Sequence, residues 1–284
     1  MISRQVLCDF YRDACELELQ AFKPGNVSVY ADGHDMCVQD FRVSADASGS
    51  SLCDPKYSLG EKIYYAVQAT RDAVGCNTNL GIVLLCAPLL QAAEHVNQSV
   101  NFQKALADVL NNTTQSDAEW VFKAIRLAAP GGLGQVEDQD VNATPTVTLR
   151  QAMQLVSHKD RIALQYITNF KDVFDFGVLR YNEGFDRWGK KDWATVLVYT
   201  GLLSHYPDSH IERKYGDRYT ALVAARMLSL HATLINSSKP ELLQALFADV
   251  DKEFKLKKIN PGTMADITVA TLLAVSLIDF LNTI

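Results

Sequence analysis

The chain has 284 residues, of which 48% are apolar and 21% charged. That composition excludes collagen, a coiled-coil rod and intrinsic disorder. At about 150 residues per domain, the length allows one large domain or two small ones. Twenty-seven Lys and Arg against 33 Asp and Glu leave a net charge of −6 with no extended basic block, which speaks against a nucleic-acid partner.

The longest uncharged apolar run near either end, Ile267 to Ile278, is twelve residues long. It falls short of the ~20 needed to span a bilayer. A buried helix of a soluble protein is expected, with no membrane partner. Arg4 and Asp9 interrupt the N-terminal segment, so no signal peptide is expected and the location should be cytoplasmic. Cys8, Cys15, Cys37, Cys53, Cys76 and Cys86 show neither a CxxC pair nor a Cys/His ligand spacing, which predicts reduced thiols and no structural zinc.

Apolar residues recur at helical spacing almost from end to end: Val6, Phe10, Ala14 and Leu17 form one stripe, Leu59, Ile63, Ala66 and Val67 a second. Short polar residues followed three places later by Glu or Gln mark helix starts at Ser58/Glu61, Ser116/Glu119, Thr148/Gln151 and Ser238/Glu241. Helices are predicted at 3–22, 58–75, 79–97, 100–111, 116–128, 148–157, 160–173, 191–204, 215–236, 239–254 and 261–282. The fold class is all-α, a single compact multi-helix domain spanning 1–284. The stretches 23–57 and 129–147 are longer than a passive connection requires and are candidate binding loops.

Four polar constellations interrupt this helical background. Lys23-Pro24-Gly25-Asn26-Val27, followed by Gly33-His34-Asp35-Met36, reads first as a helix stop with a solvated lysine, favoured there by the helix dipole. Asn77-Thr78-Asn79-Leu80-Gly81 offers more polar side chains than one N-cap needs, and a helix N-terminus attracts anions. Asp208-Ser209-His210-Ile211-Glu212-Arg213-Lys214 packs acids and cations into one short loop, which suits either a salt-bridged turn or a Mg²⁺-polyphosphate. Asn260-Pro261-Gly262-Thr263-Met264-Ala265-Asp266 opens the most apolar helix, with Asn260 a sensible N-cap and Pro261 at its first position. Asp266 there must be buried, and an ionised carboxylate in that setting needs a partner or a metal.

Other polar features carry less. Pro130-Gly131-Gly132-Leu133-Gly134 could form an anion nest, but with no preceding strand it fits neither nucleotide-loop fingerprint. His95, His158 and His231 sit singly within helical pattern and read as packing or surface residues. Trp120, Trp188 and Trp193 read as core or helix-contact aromatics.

Taken in chain order, Glu18…Lys23-Pro-Gly…Asp35-Met36, Asn77-Thr78-x-x-Gly81, Asp208…Arg213 and Pro261-Gly262-x-x-Ala265-Asp266 resemble the triphosphoribosyl-dephospho-CoA synthase family, over about residues 14–275. The resemblance implies an all-helical fold and an ATP-dependent triphosphoribosyl transfer. In that reaction the 2′-hydroxyl of dephospho-CoA attacks C1′ of the ATP ribose and adenine leaves, making a prosthetic-group precursor. It implies ATP as substrate, Mg²⁺, and small-molecule nucleotide partners. Glu18, Asp35, Asp208 and Asp266 are then the candidate catalytic acids, stabilising an oxocarbenium-like state or taking the hydroxyl proton, with Asp208 and Asp266 as candidate metal ligands. Lys23, Gly25, Asn26, Asn77, Thr78, Gly81, Arg213 and Gly262 become the candidate nucleotide- and phosphate-binding residues.

The chain departs from the family pattern. Asn79-Leu80 stand where the family has a His-Lys pair, Ser28 where it has an acid, and a single Gly216 where it has two glycines. These mark a divergent branch, similar to members found in tetrahydromethanopterin-type one-carbon settings. The acceptor is left open between dephospho-CoA and another cofactor precursor with the same donor chemistry. A non-catalytic nucleotide-binding helical protein is the reading from outside enzymology.

Overall fold

The predicted caps at Ser58 and Thr148 start helices as expected. In the computed structural model each hydroxyl accepts a backbone N–H three residues on, from Glu61 and Gln151, whose side chains reach back in return. The structure describes residues 2–33, 35–96, 101–130 and 140–283. His34 and the Gly131–Gly134 segment lie outside the described residues.

In chain order the helices are α1 (Arg4–Gln20), α2 (Val38–Leu52), α3 (Leu59–Val74), α4 (Leu80–Glu94), α5 (Phe102–Asn111), α6 (Gln115–Ala128) and α7 (Leu149–Val156). There follow α8 (Arg161–Thr168), α9 (Leu179–Trp188), α10 (Lys191–His205), α11 (Ser209–Tyr215), α12 (Thr220–Ile235), α13 (Gln244–Leu256) and α14 (Gly262–Leu281). A π-helical segment, Asp172–Val178, leads directly into α9. No strand occurs among the described residues; the segment after α1 contains isolated bridges only.

Several local expectations need correction. The stretch 23–57 is not one long loop, because α2 occupies its second half. Apart from Leu52 its buried face is Ser44, Ala45, Ser48 and Gly49, small residues that let it lie against α1 but give no clear apolar period. The Asp208–Lys214 loop is the helix α11. The start near Ser116 falls at Thr114, which forms its capping box with Asp117, and Ser238 precedes a short 3₁₀ turn, Pro240–Leu243.

At the centre lie α4 and α14, packed on each other, with α1 and the π-helical segment against α14. Both central helices are buried along most of their length. By length and apolar content alone α14 could cross a membrane, and it is longer than the twelve-residue run suggested. In this fold most of it is buried inside the protein.

Three outer helices begin at a common corner. Gly60 N donates to Asp117 Oδ1 (2.8 Å), Leu149 N to Thr114 O (3.1 Å) and Arg150 N to Thr113 Oγ1 (3.1 Å). From that corner α3 and α7 each run along α6. The C-terminal end of α3, carrying Arg71, and the turn after α7, carrying Lys159, therefore lie away from the shared start.

Candidate active site

The site is built where helix ends meet. Gly75 closes α3 in the left-handed conformation (φ 73°), and the chain turns at once into α4. In that turn Asn77 Oδ1 accepts from Leu80 N (3.1 Å). The remaining polar side chains bind α2: Thr78 Oγ1 shares a hydrogen bond with Ser44 Oγ (2.5 Å), and Asn79 Nδ2 donates to Ser48 Oγ (3.3 Å). Much of the polarity that looked surplus in the sequence is thus spent holding a helix the sequence does not announce.

Asp208 performs a second piece of construction. Its Oδ1 accepts from His210 N (2.9 Å) and Ile211 N (3.1 Å), capping α11, while Oδ2 accepts from Met264 N (2.9 Å) in the first turn of α14. Pro261, not Asn260, is the N-cap of α14 and supplies no side-chain acceptor, so Asp208 does so from 56 residues away. Burial outweighs these three hydrogen bonds and the nearby Arg213, and pushes the Asp208 carboxyl up to about 6.

A cavity of about 900 Å³ opens between the first turns of α4 and α14, the end of α1, and α6, α7 and α8. That is near the top of the ~300–1,000 Å³ range of ligand pockets, room enough for an extended ligand. Glu18, Asn26, Asp35, Asn77, Thr78, Gly81, Arg213, Gly262 and Asp266 line it, bringing together segments far apart in the chain. Val121, Phe122 and Ile125 of α6 with Leu149 and Met153 of α7 supply an apolar wall.

Lys23, Gly25 and Asp208 do not line the cavity. Lys23 is 0% exposed, its ammonium held by Glu18 Oε1 (3.2 Å) and Val27 O (2.7 Å). It is no solvated C-cap. Burial pushes the Glu18 carboxyl up and the Lys23 ammonium down, and their contact opposes both shifts. Around them, Tyr199 Oη donates to Pro24 O (2.9 Å) and Gly25 N to Asp251 Oδ1 (2.8 Å). Gly25 has φ 83°, and a Cβ there would meet Phe254, Ile259 O and Pro261 at about 3 Å. The Lys-Pro-Gly segment is therefore anchored in the core, and only its neighbour Asn26 reaches the cavity, where its Nδ2 donates to Asn260 Oδ1 (2.9 Å).

Asp266 stands apart electrostatically. Among the described residues its carboxylate receives no hydrogen bond, and burial, then Glu18 and Asp208, raise its pKa well above the usual carboxylate range. It lies directly against Gly81 in the first turn of α4. Arg213, across the cavity lining, donates Nη1 to Asp160 Oδ2 (2.7 Å). Arg71, Lys159, Asp160 and Asn260 also line the cavity and were not among the residues singled out for binding. His210, noted in the sequence without a role, lines it too, beside Gly262.

A resident Mg²⁺ bound by protein alone finds little support in these residues. No group of three or more His, Cys, Asp or Glu among the described residues is arranged to hold an ion. Both Asp208 oxygens are engaged by N–H groups, which leaves Asp266 as the open donor of the expected pair.

The model of the family CitG, ATP:dephospho-CoA triphosphoribosyl transferase, matches residues 4–283, nearly the whole chain. The chain belongs to this family. It is accordingly an enzyme, a transferase of the triphosphoribosyl-dephospho-CoA synthase type. The fold is similar to the crystal structure of an Archaeoglobus fulgidus protein provisionally described as a triphosphoribosyl-dephospho-CoA synthase. That match has a TM-score of 0.63 and 21% identity, and covers 82% of this chain and 96% of that one. Curated proteins yield no match. The all-α expectation for the CitG fold holds.

Proposed function

We propose that the enzyme transfers the triphosphoribosyl group of Mg²⁺-bound ATP to the 2′-hydroxyl of dephospho-CoA with release of adenine. The observation that carries this reading is Asp266, a carboxyl that is half-buried where the sequence suggested full burial, receives no hydrogen bond among the described residues, and faces a large cavity beside Glu18. In the transfer the acceptor O2′–C1′ bond forms, the C1′–N9 bond breaks, and the proton of the hydroxyl replaces the lost bond on adenine. The ribose passes through an oxocarbenium-like state that nearby carboxylates stabilise.

Asp266 suits one end of the proton path: burial favours its protonated form, as required to deliver a proton to the departing base. Glu18, whose charge is balanced by Lys23, suits stabilisation of the developing positive charge. Asn26 and Asn260, bonded to each other on the lining, suit the orientation of ribose hydroxyls. The apolar wall of α6 and α7 suits an uncharged base and helps exclude water from C1′.

The test is incubation with ATP, Mg²⁺ and dephospho-CoA, following adenine by chromatography and the triphosphoribosyl product by mass spectrometry. Adenine and a triphosphoribosyl adduct appearing together would support the assignment. Adenine release with a pterin precursor but not with dephospho-CoA would move the acceptor while keeping the donor chemistry. ATP binding with no adenine from either would leave a nucleotide-binding protein without turnover.

A further inference from the structure

Pairing among the charged residues limits where phosphates can lie in the cavity. Lys23 is sealed behind the lining with Glu18, and Arg213 gives its Nη1 to Asp160 while its buried Nε has no hydrogen-bond partner among the described residues. Two further cations, Arg71 and Lys159, line the same cavity. Both are exposed, and neither has an ion pair or a side-chain hydrogen bond among the described residues. Both also lie away from the corner where α3, α6 and α7 begin.

We propose that Arg71 and Lys159 form a polyphosphate-binding rim, holding a phosphoanhydride-linked chain of phosphates while the attached ribose points inward to Asp266. The proposal rests on the cavity being the nucleotide site assigned above, and it names the residues that hold the charged end. Arg71 offers a planar fork of donors suited to two phosphate oxygens, and Lys159 a compact point charge. Arg71 also sits in the last turn of α3, where a cation is favoured with or without a ligand. That local benefit would not appear in nucleotide affinity. The shared ligand chemistry has two sources, the triphosphate of ATP and the diphosphate of dephospho-CoA.

Titration calorimetry with Mg²⁺-ATP, dephospho-CoA and adenosine, on the wild type, Arg71→Gln, Lys159→Gln and the double variant, tests the rim and separates its sources. Each substitution should weaken binding of the phosphate-bearing ligand by about tenfold, as loss of a charge-assisted contact implies. Adenosine affinity should not change, and the salt dependence of nucleotide binding should flatten in the double variant. A loss confined to Mg²⁺-ATP assigns the rim to the donor, and one confined to dephospho-CoA assigns it to the acceptor. Unchanged melting temperatures would confirm intact folding, as expected for exposed side chains. Equal affinity of wild type and double variant for both nucleotides overturns the rim, as does a wild type that binds neither. Binding through these cations with no adenine release would instead overturn the transfer reaction and leave the rim standing.

Discussion

Gly81 and Asp266 occupy one space: a Cβ on residue 81 would lie 2.0 Å from Asp266 Oδ2 and 2.6 Å from its Cγ. The glycine is there so that the first turn of α4 can receive a carboxylate from α14. The turn around it contributes less to binding than to the placing of that acid.

Gly81→Ala should therefore displace Asp266, and Ile162 offers no relief because its Cδ1 lies 2.8 Å from the same position. Overpacking of this kind costs about 1–3 kcal/mol. A reacting group moved by ~1 Å loses on the order of a hundredfold in rate. Urea unfolding and kcat for adenine release measure the two effects. A variant with wild-type kcat would mean that the position of Asp266 is not critical.

Asp266→Asn should be more stable than the wild type at pH 7 and close to inactive. A carboxyl whose pKa is raised by folding binds its proton more tightly in the folded state, so its contribution to stability falls as pH rises above the unfolded value of about 4. The neutral amide removes that loss, and its advantage should shrink towards pH 4. Loss of a charge-stabilising or proton-donating group should lower adenine release by at least about a hundredfold. Denaturation at pH 4.5 and 7 together with single-turnover kinetics checks both halves. A less stable, fully active variant would contradict the role given to Asp266.

The pattern of what could be read from the sequence has physical causes. Helix α3, with one apolar face, shows its period directly, α14 shows as a long apolar run, and Asp266 drew notice as an acid inside that run. Helix α2 escaped because Ser44, Ser48 and Gly49 pack through smallness, which leaves no clear hydrophobic period. Lys23 looked like a helix-stop lysine because the groups that anchor the segment following it in the core, Tyr199 on Pro24 O and Asp251 on Gly25 N, are remote in the chain. Arg71 and Lys159 gave no signal, since their availability emerges only once the partners of Lys23 and Arg213 are known.

Lys23→Met should act on stability and leave the KM for ATP unchanged, because the ammonium is fully buried and does not line the cavity. Removing it strands the Glu18 carboxylate, and breaking a buried pair this way costs about 3–5 kcal/mol. The double variant Glu18→Gln/Lys23→Met removes the orphaned charge and should regain part of that loss, though not activity. Urea melts of the three proteins separate the cases. A double variant less stable than Lys23→Met would show that Glu18 is held by something other than Lys23.

Acid sensitivity should arise in part from His231. Its ring is buried against α10, with Nδ1 3.1 Å from Thr200 Oγ1, and burial, then His205 and Arg180, push its pKa down to about 4. The unfolded chain takes up this proton near pH 6.5 while the folded one does not. Stability from His231 is therefore complete above pH 6.5 and is lost as pH falls towards 4. The loss should reach roughly 2–3 kcal/mol. His231→Gln lacks the titration and should flatten the stability profile between pH 6.5 and 4.5, at the expense of some packing against Gly201, whose Cβ position lies 3.0 Å from the ring. Chemical denaturation across that window, on wild type and variant, measures the difference in slope. Parallel profiles would assign the acid sensitivity to other groups.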